Sequence, residues 1–189
     1  MDKEQLQRGV STALRWWKSM YANASELKKE GIQAAPTAWK AELKRAESID
    51  AVLLTQGFRA LWFSLSNEIT EGHEKQVGQK MLCWAAVAGA LVSISENHGE
   101  SFAKLAGKRG EGDKPIVSEM RFAQLQQSQT PEEFLRRIRR ILKQLKGKAS
   151  VVQLAKDTCY WSQELSSSYP RCADKRIAVR WAMDYYQAN

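Results

Sequence analysis

The sequence predicts an all-α protein of two small helical bundles, about eight or nine helices with no sheet. Three observations predict it. Apolar residues recur at spacings of three and four along most of the chain. No run of alternating β-branched residues is flanked by hairpin turn chemistry. Only 4 prolines interrupt the 189 residues.

The first helix is expected over Lys3 to Tyr21, where Leu6, Val10, Ala13, Leu14, Trp17 and Met20 or Tyr21 form one stripe with Trp16 on its flank. A connection from Asn23 to Ala35 follows, and Pro36 is suited to the first turn of a second helix carrying Trp39, Leu43 and Ala46. Ser48 can cap a third helix, Ile49 to Ser66, with Val52, Leu53, Phe58, Leu61, Trp62 and Leu65 facing inward. A polar turn, Asn67 to His73, precedes a helix from Glu74 to Asn97 that is apolar on nearly every side from Met81 onward. An element of that kind is surrounded by others. A short helix near Glu100 to Ala106 leads into the glycine-rich stretch Gly107 to Pro115, which reads as a flexible surface loop.

That loop divides the expected organisation into a bundle over 1–106, a loop over 107–117 and a basic bundle over 118–189. In the second part Ser118 can cap a helix with Phe122 and Leu125. Thr130-Pro131-Glu132-Glu133 then combines an N-cap, a first-turn proline and a glutamate three residues on. The helix it opens is expected to reach Lys146 and stop at Gly147, a residue suited to a left-handed C-terminal cap. Ser150 begins another helix, and SSSYPRC, Ser166 to Cys172, forms the turn before a last one with Ile177, Val179, Trp181 and Tyr185.

A hydrophobic fraction of 43% with 7 Trp is the composition of a packed protein, not of a disordered chain. The 3 cysteines are odd in number and irregularly spaced, and the N-terminus has no apolar signal core. The expected compartment is a reducing cytoplasm. The longest apolar run, Met81 to Ser95, falls short of the roughly 20 residues a membrane span requires.

Enzyme classes lack material. The 2 histidines, His73 and His98, leave little for metal ligation or a histidine-activated nucleophile, and no phosphate-binding glycine motif follows a strand. Neither a cofactor nor a metal is expected. Charge is the informative property: 29 basic against 21 acidic residues give a net charge of +8. Most of the excess lies beyond residue 117, and such a field favours anionic partners.

The sharpest feature is the helix Pro131 to Lys146. Phe134, Leu135, Ile138, Ile141, Leu142 and Leu145 share one stripe, and Arg136, Arg137, Arg139, Arg140, Lys143 and Lys146 occupy the other face, with Lys148 just beyond. Helix-dipole preference explains cations in the last turn but not four arginines ahead of it. Guanidinium forks match phosphate oxygens, so an anion-binding face is the favoured reading over a merely solvated one. A second basic group comprises Lys40, Lys44 and Arg45, with Lys18, Arg15 and Arg59 as possible neighbours. Most tryptophans lie on apolar stripes and belong to the core; Trp16 remains open as a base-stacking residue.

The order of these motifs resembles the CasB family, the small subunit of the type I-E CRISPR surveillance complex Cascade. The resemblance is carried by Val117-Ser118-Glu119-Met120-Arg121-Phe122 with Leu125, by Pro131 through Arg140, by Leu154, Asp157, Tyr160 and Trp161, and by Val179-Arg180-Trp181-Ala182 with Asp184, Tyr185 and Tyr186. Glu42-Leu43-Lys44-Arg45-Ala46 before Phe58 fits the same pattern. The resemblance implies a non-catalytic helical subunit, present as a pair of copies beside the other Cascade subunits. Such a subunit helps hold the crRNA, the target DNA and the displaced non-target strand of the R-loop. By position it assigns backbone contact to Lys44, Arg45, Arg121, Arg136, Arg137, Arg139 and Arg140. Met120 and Gln127 depart from the family by standing where basic residues are common. The rival expectation is a helical adaptor whose basic face binds an acidic protein.

Overall fold

The computed structural model describes residues 2–188. Twelve α-helices and one two-stranded parallel sheet are present among them, so the expected helix count is too low and the expected absence of a sheet is corrected. Local capping explains most of the extra helices. The first helix, α1 (Lys3–Tyr21), starts in a capping box between Asp2 and Gln5 and buries Leu6, Val10, Ala13, Trp16 and Trp17. The connection after it folds as α2 (Ala24–Glu30), because Asn23 and Glu26 form a second capping box and Gly31 ends the helix at φ 59°. Pro36 is the N-cap of α3 (Thr37–Arg45) and not its first-turn residue.

The single helix expected over Ile49 to Ser66 is broken into α4 (Ile49–Leu53) and α5 (Gln56–Ser64). Thr55 causes the break: its hydroxyl accepts the Phe58 N–H and opens a new helix, which leaves Leu54 exposed. A single turn, α6 (Asn67–Thr70), replaces part of the expected polar turn.

The central helix α7 (Glu74–Leu91) stops short of Asn97. The residues beyond it form β1 (Glu96–Asn97), which pairs in parallel with β2 (Lys148–Ala149), Glu96 opposite Lys148. Every residue of α7 from Cys83 to Leu91 is buried, against α4, α5, α10 and α11. Fully burying each large apolar side chain contributes about 1.5–3 kcal/mol, so this helix anchors the molecule. The remaining helices are α8 (Phe102–Gly107), α9 (Glu119–Gln126), α10 (Pro131–Gln144), α11 (Val151–Ser166) and α12 (Ile177–Gln187).

One hydrophobic cluster runs from Leu6 to Tyr185 and draws on residues from both sides of 107–117. That intervening segment pairs with itself: Gly110 N–H donates to Lys114 O, Ile116 N–H to Lys108 O, and Arg109 is ion-paired with Asp113. Its far end is fixed by the buried Tyr185 hydroxyl, which donates to Val117 O at 2.6 Å. Trp16 is 6% exposed and its indole N–H donates to Gly57 O, which removes it as a base-stacking residue.

Candidate nucleic-acid interface

Helix α10 forms where its sequence starts and stops it. Thr130 accepts the Glu133 N–H at 3.2 Å, the Glu133 carboxylate accepts the Gln129 N–H, and Pro131 occupies the first turn. At the other end Lys146 and Gly147 take φ 54° and 75°, and the Gly147 N–H returns to Leu142 O at 2.8 Å. Phe134, Leu135, Ile138, Ile141 and Leu142 are buried, as the spacing predicts.

The cations on the opposite face divide into two kinds. Arg137 and Arg139 are turned into the protein. Arg139 donates from Nε to Gly89 O at 2.8 Å and from Nη2 to Leu43 O at 2.9 Å, and its Nη1 reaches Ala46 O. Those carbonyls end α3 and α7, where the last turns lack intrahelical donors and favour a positive charge. Burial lowers the Arg139 pKa from its ordinary value, partly opposed by the nearby Glu47. Arg137 serves α9 in the same way, donating to Gln124 O at 2.8 Å and to Ser128 Oγ while facing Glu133.

Arg136, Arg140, Lys143 and Lys146 are exposed, and their side chains have no hydrogen-bond or ion-pair partner among the described residues. Like charges at helical spacing repel by a few tenths of a kcal/mol per pair, a repulsion that an anion along this row would relieve. On one flank Arg121, Arg137 and Arg140 line a shallow cleft between α9 and α10.

On the other flank lies an open groove of about 470 Å³. Lys44 from α3, Lys143 from α10 and Lys146 from the turn after α10 line it, together with Ser93, Ser95 and Gly147. The basic residues of the two sequence regions are therefore brought to one surface. The sheet joins Ser95 to Gly147: Ser95 N–H and Glu96 N–H both donate to Gly147 O. A Cβ at Gly147 would collide with Ser95, so the left-handed turn and the close approach require glycine there.

Lys40 and Lys44 extend this surface over the Tyr21 ring, with Lys40 Nζ 3.9 Å and Lys44 Nζ 5.9 Å from its centroid. Burial, and then the charge on Lys44, lower the Lys40 pKa. Tyr21 is held by stacking on Trp17 and by its hydroxyl donating to Val92 O, and burial pushes its pKa up to about 12. Arg45 is exposed beside Lys44.

Two expected residues are placed elsewhere. Lys18 pairs with Glu30 at 2.5 Å, and Lys148 pairs with Glu96 across the sheet at 3.2 Å. Of the further neighbours, Arg15 donates to Gly31 O and Arg59 to Leu54 O. Sequence reading missed Tyr21, Ser93 and Ser95 as parts of the surface. The two serines follow an apolar helix with no motif of their own, and the pairing of Glu96 with Lys148 brings them to the end of α10.

Among the described residues no group of three or more His, Cys, Asp or Glu side chains is placed to hold a metal ion. No described helix is long and apolar enough to cross a membrane. A family model described as CRISPR-associated protein Cse2 matches residues 39–186, a range that contains α3 from Trp39 onward, the groove and all of α10. No curated protein and no solved structure matches the chain.

Proposed function

The chain belongs to the CRISPR-associated Cse2 family, and from that premise we propose that it is a non-catalytic Cascade subunit that holds nucleic-acid backbone on the α3–α10 surface. The observation that carries this reading is the set of unpartnered cations along α10 and the turn after it: Lys143 and Lys146 line an open groove with Lys44, Arg140 lines the cleft on the other flank, and Arg136 is exposed. In RNA-guided recognition base pairing reads sequence and the protein stabilises the duplex and the displaced strand through the backbone. A surface of this kind acts by releasing counterions from phosphates, which offsets part of the cost of keeping two DNA strands apart. The ligands on this reading are the crRNA and the target DNA of the R-loop, with the displaced non-target strand as the single-stranded element. Its protein partners are the other Cascade subunits and a second copy of the chain. Arg136, Arg140, Lys143, Lys146, Lys44, Arg45 and Arg121 contact phosphate. Arg137 and Arg139 act through the backbone they hold.

The test is fluorescence anisotropy with single-stranded DNA at several salt concentrations, comparing wild type with Arg140→Glu plus Lys143→Glu. The wild type binds with similar affinity for all sequences. Each lost phosphate contact lowers the salt slope by about 0.7, so the double variant lowers it by about 1.4. Equal affinity and slope in the two proteins would overturn the reading. Loss of complex assembly with DNA binding intact would transfer these cations to an acidic protein partner.

A further inference from the structure

The turn between α11 and α12 has a composition that the α3–α10 groove does not share. Tyr169 is 84% exposed, the most exposed large aromatic of the chain. Its backbone is held, however: the Ser167 hydroxyl donates to Tyr169 O at 2.9 Å and accepts the Tyr169 N–H at 3.3 Å. Pro170 follows and restricts Tyr169 to extended backbone. An exposed ring on a held backbone loses less freedom when something stacks on it than one on a free loop.

Three arginines lie in the same turn and in the helix it leads into, Arg171 two residues after Tyr169, then Arg176 and Arg180. Arg171 stands 4.7 Å and Arg180 5.9 Å from the centroid of Tyr160, so both guanidinium groups are held against one aromatic side chain. Arg176 uses its Nε on Arg171 O, and its Nη groups have no partner among the described residues. The facing carboxylates are already engaged. Glu164 accepts the Ile177 N–H with both oxygens, in addition to Arg171. Asp157 accepts from Trp181 Nε1 and Gln153 Nε2 and lies 4.0 Å from Arg180, the outer limit of an ion pair. Asp184 accepts from Ser101, and Asp174 with Lys175 occupies the turn's outer edge. Arg176 and Arg180 therefore keep unused donors.

We propose that Tyr169 with Arg171, Arg176 and Arg180 forms a second contact site for single-stranded nucleic acid, separate from the α3–α10 groove. A bare aromatic on a held turn that also carries arginine forks is the combination that takes a base on the ring and its phosphates on the cations, with little sequence preference. An acidic protein segment would use the arginines but leave the ring without a role. The inference rests on the nucleic-acid reading above and extends it: one subunit would then hold two segments of nucleic acid on different elements.

The test uses the full chain and a single-stranded oligonucleotide carrying 5-iododeoxyuridine, read by photocrosslinking and by anisotropy. Crosslinks are expected on Tyr169. Tyr169→Ala is expected to weaken binding about tenfold with an unchanged salt slope, as loss of one stacked base does, whereas Tyr169→Phe binds as wild type. Arg176→Ala with Arg180→Ala lowers the slope instead. Wild-type binding by both sets, with loss only in Arg140→Glu plus Lys143→Glu, would overturn this site and leave the groove standing. Absence of binding by the wild type would overturn both. Normal DNA binding by Arg176→Ala with Arg180→Ala, together with its loss from the assembled complex, would assign the arginines to a protein surface.

Discussion

Replacing Arg139 by alanine separates a positioning role from a binding role. The substitution removes three charge-assisted hydrogen bonds, to Leu43, Ala46 and Gly89, and leaves the last carbonyls of α3 and α7 without a donor. Hydrogen bonds to a charged group contribute about 1.5–3 kcal/mol each in net terms. Desolvation of the guanidinium offsets part of that sum, and because the groove is open, water can reach some of the freed carbonyls. A loss of about 2–4 kcal/mol remains, a large share of the total stability of a domain. For a chain of this size it lowers the melting temperature by about 6–12 °C. Urea unfolding monitored by the tryptophans measures it. Arg139→Lys, with one compact ammonium in place of a fork, recovers about half. Arg136→Ala, on the outer face, stays within about 0.5 kcal/mol of wild type. If Arg139→Ala instead unfolded like wild type and weakened DNA binding as much as Arg140→Ala, the inward placement of this side chain would be refuted.

Two other perturbations test the interior. Burial raises the Asp157 pKa to about 6. The folded protein therefore binds more protons than the unfolded chain between about pH 4 and 6, and this residue's contribution to stability falls as pH rises through that window. Asp157→Asn keeps an acceptor for Trp181 and removes that slope. Melting curves from pH 4.5 to 7 should show the variant gaining on wild type as pH rises, and a constant difference would refute it. Gly107→Ala would place its Cβ 2.8 Å from the Tyr185 carbonyl carbon and 3.0 Å from its Cα, forcing α8 and α12 apart. A loss of at least about 2–3 kcal/mol is expected in the same unfolding assay, and a silent substitution would contradict the packing.

The helices were legible where they carried their own boundary chemistry. Thr130 through Gly147 and the nearly all-apolar stretch of α7 could be read directly, and so could the inward tryptophans. The errors have local causes of the same kind. The Asn23 and Glu26 capping box stood in the sequence and defines α2, and Thr55 ends one helix by starting the next. The Glu96–Lys148 pairing had no such signature, because two residues per strand are too few to show alternation. The basic face was visible as a face, but the destination of each cation was not. Arg139 lies beside the apolar stripe of α10, and the carbonyls that draw it inward come from residues 50 to 96 positions away.

The burial of α7 bears on the order in which the chain can mature during synthesis. Its covering elements include α4 and α5 before it and α10 and α11 after it. A ribosome adding about 5–20 residues per second needs several seconds to proceed from Leu91 to the end of α11. Throughout that interval Trp84, Val87 and Leu91 lack half of their shelter. The nascent N-terminal half is then a sticky intermediate, and a truncated chain ending in the 107–117 segment is expected to accumulate in inclusion bodies or on chaperones.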